Sequence, residues 1–222
     1  MIYNKLQNLK KSELFFLVGI WLFIIAQGFF TKDSPIAMIS ALCGITYTFI
    51  AGKGNPICYL FGITGSSFYC ILSFNNALWG NLLLYALYYI PMQILGYFQW
   101  NKNLQKNSSE IIKIRLPRIE LLVLILIILT LTVLTYLILT SYKDAHPFLD
   151  SITTVLSIGG MYLTVRRAIE QWQCWMIVNS LSLLMWISVA MNGVKVYSTL
   201  IMWCIYLLFA FYFYFAWKKD LK

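Results

Sequence analysis

Charge is scarce in this chain of 222 residues: Asp, Glu, Lys and Arg make up only 11% of it, eight residues are acidic, and there is one histidine. A water-soluble domain carries about a quarter charged residues. Here 60% of residues are hydrophobic, 17% are aromatic and the mean hydropathy is +0.74, so polar side chains are too few to cover a globule. Apolar side chains must therefore face lipid. That excludes a secreted hydrolase, a cytosolic enzyme and a nucleic-acid binder, although the net charge is +9. The lone His146, set before Pro147, builds neither a zinc site nor a nucleophile and base pair. Cys43, Cys58, Cys70, Cys174 and Cys204 are odd in number, lie in apolar runs and form no C-x-x-C. They read as small buried hydrophobes. A G-x-x-x-x-G-K-[ST] is missing, so any ATP would have to act through a partner. No A-x-A-like cleavage site closes the first apolar run, which is read as a retained helix.

What the chain does have is long apolar stretches. A helix crosses about 30 Å of hydrocarbon with roughly 17 to 25 residues. Eight segments fit: 13–30, 35–51, 56–74, 77–100, 118–141, 147–165, 171–192 and 195–217. Turn residues separate them, among them Gly52-Lys53-Gly54-Asn55-Pro56, Arg166-Arg167 and Asn192-Gly193. With eight crossings, 14 Lys and Arg fall on one side and only Lys32, Lys143 and Lys195 on the other, which accounts for all 17. Cytoplasmic loops are the basic ones, so both termini are expected in the cytoplasm and the positive charge is topological.

A shift of 117 residues lays 35–100 on 152–217 without a gap, placing Ser40 on Ser157, Asn75 on Asn192, Tyr89 on Tyr206 and Trp100 on Trp217. Each repeat is three helices, and the single helix 118–141 between them makes the repeats parallel. The expected fold class is an all-α integral membrane protein of about eight helices in a 3+1+3 arrangement, with an extra N-terminal helix. The expected division is 1–34, N-terminus and extra helix; 35–100, first repeat; 101–146, loop and linker helix; 147–222, second repeat and C-terminus. Parallel repeats are a transporter architecture with the substrate site near mid-membrane at their interface.

Polar groups at depth are costly and therefore informative. No Asp, Glu, Lys or Arg lies in the middle of any span, which argues against ion symport through a buried carboxylate and against a charged-ring channel. The polar groups at depth are neutral. Trp172, Trp175, Asn179, Ser182 and Trp186 form one stripe of the seventh helix, and Asn81, Tyr85, Tyr89, Gln93 and Trp100 do much the same on the fourth, where Pro91 interrupts the backbone ladder. Trp172, Trp100 and Trp217 lie close to basic residues, as interfacial belt residues do. Asn179 and Gln93 sit two turns inside, where an amide needs a partner. That partner is either another helix or a ligand. Amides beside indole and phenol faces suit a flat heterocycle joined to a hydroxylated or amide-bearing group, with cation–π attraction if the ring is positive.

With Gly52-Lys53-Gly54, the run Tyr89-Ile90-Pro91-Met92-Gln93 followed by Gly96 and Trp100, and W-x-x-W-x-x-x-N at Trp172, Trp175 and Asn179, the chain resembles the PnuC family of vitamin transporters over nearly its whole length. The resemblance implies a fold similar to full-length SWEET transporters and facilitated uptake of nicotinamide riboside. Trp175, Asn179 and Gln93 are the foremost implied ligand contacts. Tyr89, Asn81, Trp172 and Trp186 complete the candidate substrate-binding set, with no catalytic residue, metal or cofactor expected. Relatives in that family carry thiamine, riboflavin or deoxynucleosides, and the motif leaves that choice open.

The mechanism expected is alternating access by rocking of two three-helix bundles, with Gly52, Gly54, Pro91, Gly159 and Gly160 as hinge or close-packing positions. Flux would follow the substrate gradient, and phosphorylation in the cytosol would trap the product. The rival reading is the substrate-binding membrane subunit of an ATP-driven vitamin importer. The expected location is a bacterial cytoplasmic membrane, with lipid and a small-molecule substrate as partners and homo-oligomerisation left open.

Overall fold

The apolar runs separated by turn residues become helices, and the turns fall where glycine, proline and basic pairs interrupt them. In the computed structural model the described residues are 11–31, 34–75, 79–143, 146–191 and 197–221. They form α1 (Lys11–Thr31), α2 (Pro35–Gly52), α3 (Cys58–Asn75) and α4, which runs from Trp79–Leu84 through a π-helical turn at Tyr85–Tyr89 into Ile90–Lys102. Then come α5 (Arg118–Ser141), α6 (Pro147–Val165), α7 (Glu170–Met191) and α8 (Tyr197–Asp220). Strand pairing among the described residues is confined to two isolated bridges, Leu104 with Ile111 and Ile114 with Ala168. The N-terminal ten residues and the Asn192-Gly193 turn lie outside the described residues.

Helix starts follow the sequence. Ser34 accepts a hydrogen bond from the Ala37 N–H at 3.1 Å, and Pro35 stands at the first helical position of α2, where its missing N–H costs nothing. Five helices, α1, α2, α5, α6 and most of α8, are long and apolar enough to cross a membrane by length and composition alone. α5 has no buried residue along its length, and Leu122, Leu126 and Leu129 are all more than half exposed. In water such a surface would aggregate; in lipid it is solvated.

The chain divides into two compact units, Met1–Ile112 and Lys113–Lys222. In the first, α3 packs against both α2 and α4, and α1 lies on α2. Two polar clips hold α1: the Trp21 Nε1 donates to Thr46 Oγ1 at 3.0 Å, and Glu13 pairs with Lys53. In the second unit α7 packs against both α6 and α8, while α5 lies on α6.

The two units repeat each other's hydrogen bonds, but not at a single shift. In the first, the N–H groups of Gly54, Asn55, Cys58 and Tyr59 bond the carbonyls of Ala51, Ile50, Asn55 and Pro56. In the second, Arg167, Ala168, Gln171 and Trp172 bond Thr164, Leu163, Ala168 and Ile169, which is the same pattern displaced by 113 residues. The final helix keeps the displacement of 117: buried Gln93, Gly96 and Trp100 match buried Ala210, Phe213 and Trp217. The gapless shift of 117 expected from the sequence therefore holds only for the last helix of each unit. Four residues are close to one helical turn, so the wrong shift still superimposes the same face and escapes notice.

The corner before α3 turns on a left-handed residue, Gly54 at φ 69°, and its counterpart before α7 is Arg167 at φ 62°. Burial, and then the neighbouring Arg166, lower the Arg167 guanidinium below its ordinary pKa. Each corner's left-handed residue also accepts a hydrogen bond from the segment that follows α4. Gly54 O takes the Ile111 N–H at 2.9 Å, and Arg167 O takes the Ile114 N–H at 3.0 Å. A side chain at a left-handed position costs about 1 to 2 kcal/mol. Gly54→Ala is expected to destabilise the first unit by about 1 kcal/mol, read as a lower melting temperature in detergent.

Candidate functional site

The first unit's polar cluster is built on α3, whose face presents Gly62 and, one turn on, Ser66. Gln93 of α4 meets it: the Gln93 Nε2 lies 3.1 Å and its Oε1 3.2 Å from the Ser66 hydroxyl, and the two residues are only 4% and 5% exposed. The hydroxyl satisfies one end of the amide in either orientation. A β carbon at Gly62 would lie 3.2 Å from the Gln93 amide and 2.9 Å from the Tyr47 ring, so glycine is what lets both approach α3.

Beside this pair the π-helical turn carries the tyrosines. Ile90 N–H bonds Tyr85 O, one residue farther back than in an α-helix. The turn immediately precedes Pro91, which has no N–H and whose ring would crowd a carbonyl in α register. Tyr89, 8% exposed, is held with its ring 4.8 Å from Tyr85, and Tyr85 in turn lies 4.4 Å from Tyr69. The side chain of Asn81 lies outside the described residues.

In the second unit α7 is the central helix. Trp175 lies against α6, where a β carbon at Gly160 would come within 3.2 Å of its indole, and its Nε1 donates to Thr164 Oγ1 at 3.3 Å. Thr164 in turn donates to Gly160 O at 2.8 Å, which fixes the acceptor. Asn179 follows one turn after Trp175. It is 5% exposed, and its side chain makes no hydrogen bond among the described residues. Ser182, the next residue of the stripe, is 4% exposed.

Trp172 is placed differently. It is 2% exposed, packed 5.4 Å from the Phe213 ring and edge-on to Trp217 at 5.7 Å, with no hydrogen-bond partner for its Nε1 among the described residues. Trp186 has its side chain outside the described residues. Ser66, Gly62, Tyr47 and Thr164 were not among the sequence candidates. The signal that finds the first three is the 113-residue correspondence, which puts Ser66 at the place of Asn179, Gly62 at that of Trp175 and Tyr47 at that of Gly160; Thr164 falls at the place of Ala51 and has no such signal. Aromatic and glycine have changed places between the units.

Long apolar helices with no charge at mid-helix, and in each unit a buried neutral amide, Gln93 on α4 and Asn179 on α7, are the makings of a multi-pass membrane transporter. Comparison with known proteins gives that class a family. The chain belongs to the nicotinamide mononucleotide transporter family, whose model matches residues 34–219. It is 31% identical over 198 residues to the nicotinamide riboside transporter PnuC of Neisseria mucosa, covering 87% of this chain and 75% of that one. With the nicotinamide riboside transporter PnuC of Haemophilus influenzae it is 30% identical over 213 residues, 94% and 91% of the two chains. A crystal structure of the vitamin B3 transporter PnuC matches with a TM-score of 0.80 at 29% identity, covering 96% of this chain and 92% of that one. The protein is thus a multi-pass membrane transporter and not an enzyme, as its sequence led us to expect.

Proposed function

We propose that the protein carries nicotinamide riboside into the cell by facilitated diffusion across the cytoplasmic membrane, with both termini on the cytoplasmic side. The observation that carries the reading is Asn179: an amide 5% exposed, without a partner among the described residues, one turn from an indole face fixed by Thr164. A buried amide left unpaired costs about 1 to 3 kcal/mol, and a bound ligand repays it. Trp175 and Tyr89 offer ring faces to a pyridinium, whose positive charge needs no carboxylate to bind there. Asn179 and Gln93 read the carboxamide and the ribose hydroxyls, and Trp172 braces α7 against α8 from within its aromatic packing. The names of the similar transporters support the substrate. Transport proceeds by alternating access of the two three-helix bundles. Because no acid lies at mid-helix, flux follows the nucleoside gradient, and phosphorylation in the cytosol retains the product as an anion.

Purified protein reconstituted alone in liposomes should equilibrate radiolabelled nicotinamide riboside without ATP or an ion gradient. Accumulation above equilibrium under an imposed proton or sodium gradient would sink the uncoupled mechanism. No flux by the protein alone would favour a subunit of an ATP-driven importer. A thermal-shift panel of nicotinamide riboside, thiamine, riboflavin and nucleosides tests the substrate, with the largest stabilisation expected for the first.

A further inference from the structure

The correspondence between the units contains one mismatch that bears on what is recognised. Ser66 and Gln93 form a closed pair in the first unit. Displaced by 113 and 117 residues, their places in the second unit are taken by Asn179 and Ala210. The assignment of Ala210 rests on its neighbours, since Trp217 packs edge-on against Trp172 as Trp100 packs against Tyr59. Both last helices bury the same positions, and Ala210 is 1% exposed where Gln93 is 4%. The amide of the second unit has moved from the last helix to the central one, and the side chain that would answer it has been cut back to a methyl group.

We infer that Ala210 is a specificity-determining residue: by offering Asn179 no polar partner, it keeps that amide free for a cargo group that both donates and accepts hydrogen bonds. Such a group is a carboxamide. An amide has two N–H donors and one carbonyl acceptor, and a carboxamide matches both kinds at once. A carboxylate can only accept, so it sets its charge against the Asn179 carbonyl in a site that holds no compensating cation at mid-helix. Ser66 does the opposite for Gln93, holding it as an oriented side chain whose free end is all that remains for the cargo. The inference rests on the reading that Asn179 meets the substrate.

The test uses the full chain in detergent with Ala210→Asn, which restores a pair of about the same combined reach as Ser66 with Gln93, and the smaller Ala210→Ser. Both should raise the melting temperature without ligand. Both should weaken nicotinamide riboside binding about ten-fold, and both should narrow its preference over nicotinic acid riboside. The rise in melting temperature should vanish when Asn179→Leu is also present, which a general packing effect would not do. If Ala210→Asn does not fold, Ala210→Ser decides. Wild-type affinity and preference in Ala210→Ser, or a thermal effect of equal size with and without Asn179, would overturn the inference. A wild-type protein that binds another member of the panel instead would overturn the proposed substrate alone. The coupling between positions 210 and 179 would still be read from the ligand-free melting temperatures.

Discussion

Gly96→Ala is expected to destabilise the first unit by about 3 kcal/mol and to abolish transport. The β carbon would lie 2.3 Å from Tyr59 Cζ and 2.6 Å from its hydroxyl, inside any real contact distance. The ring has nowhere to go: Tyr59 is fully buried, edge-on to the equally buried Trp100 at 5.1 Å and tilted against Tyr47 at 5.9 Å. Overpacking a filled interior forces side chains off their rotamers and moves backbone, typically at 1 to 3 kcal/mol and here at the upper end because the obstacle is an aromatic ring. Gly19→Ala supplies the control, since nothing lies within 4 Å of its β carbon. Thermal unfolding in detergent checks both. A Gly96→Ala protein melting with the wild type would show that Tyr59 has room to swing aside.

Asn179→Leu is expected to move stability and binding in opposite directions. Replacing a buried, unpartnered amide with a hydrocarbon of similar size removes a desolvation cost of about 1 to 3 kcal/mol, so the ligand-free protein should melt higher. The same change removes hydrogen bonds to a buried ligand and should reduce affinity by on the order of 100-fold, because the polar group of the cargo then enters the membrane interior unanswered. A residue that merely packs would lower stability and leave affinity intact. Measuring the ligand-free melting temperature and the thermal shift with nicotinamide riboside on the same preparation separates the two, and a lower melting temperature with unchanged affinity would remove Asn179 from the site.

Much of this was legible in the sequence, for identifiable reasons. The helices were, because the membrane demands long apolar runs and the turns are written in glycine, proline and basic pairs. Asn179 and Gln93 were, because an amide two turns inside a lipid-facing helix is conspicuous. Of the two alternatives raised for them, a partner helix is what Gln93 has in Ser66, while the Asn179 side chain has no hydrogen-bond partner among the described residues. Ser66 itself was invisible because serine is common in membrane helices and its partner is 27 residues away. The π-helical turn went unread because only the ladder break at Pro91 is encoded locally, while the widening falls on the turn before it. The internal displacement of 113 was masked by the displacement of 117, which differs by about one turn and gains a few aromatic identities in a chain that is 17% aromatic.

The traded positions of ring and glycine, Tyr47 over Gly62 in one unit and Trp175 over Gly160 in the other, have a bearing on how such a protein can be shortened or rebuilt. A tandem made from two copies of the N-terminal half would contain two serine-clasped glutamines and no vacant amide. One made from two copies of the C-terminal half would leave two asparagines bare, each with its own solvation debt. On the binding roles proposed for Asn179 and Gln93, a minimal version should keep both kinds of half.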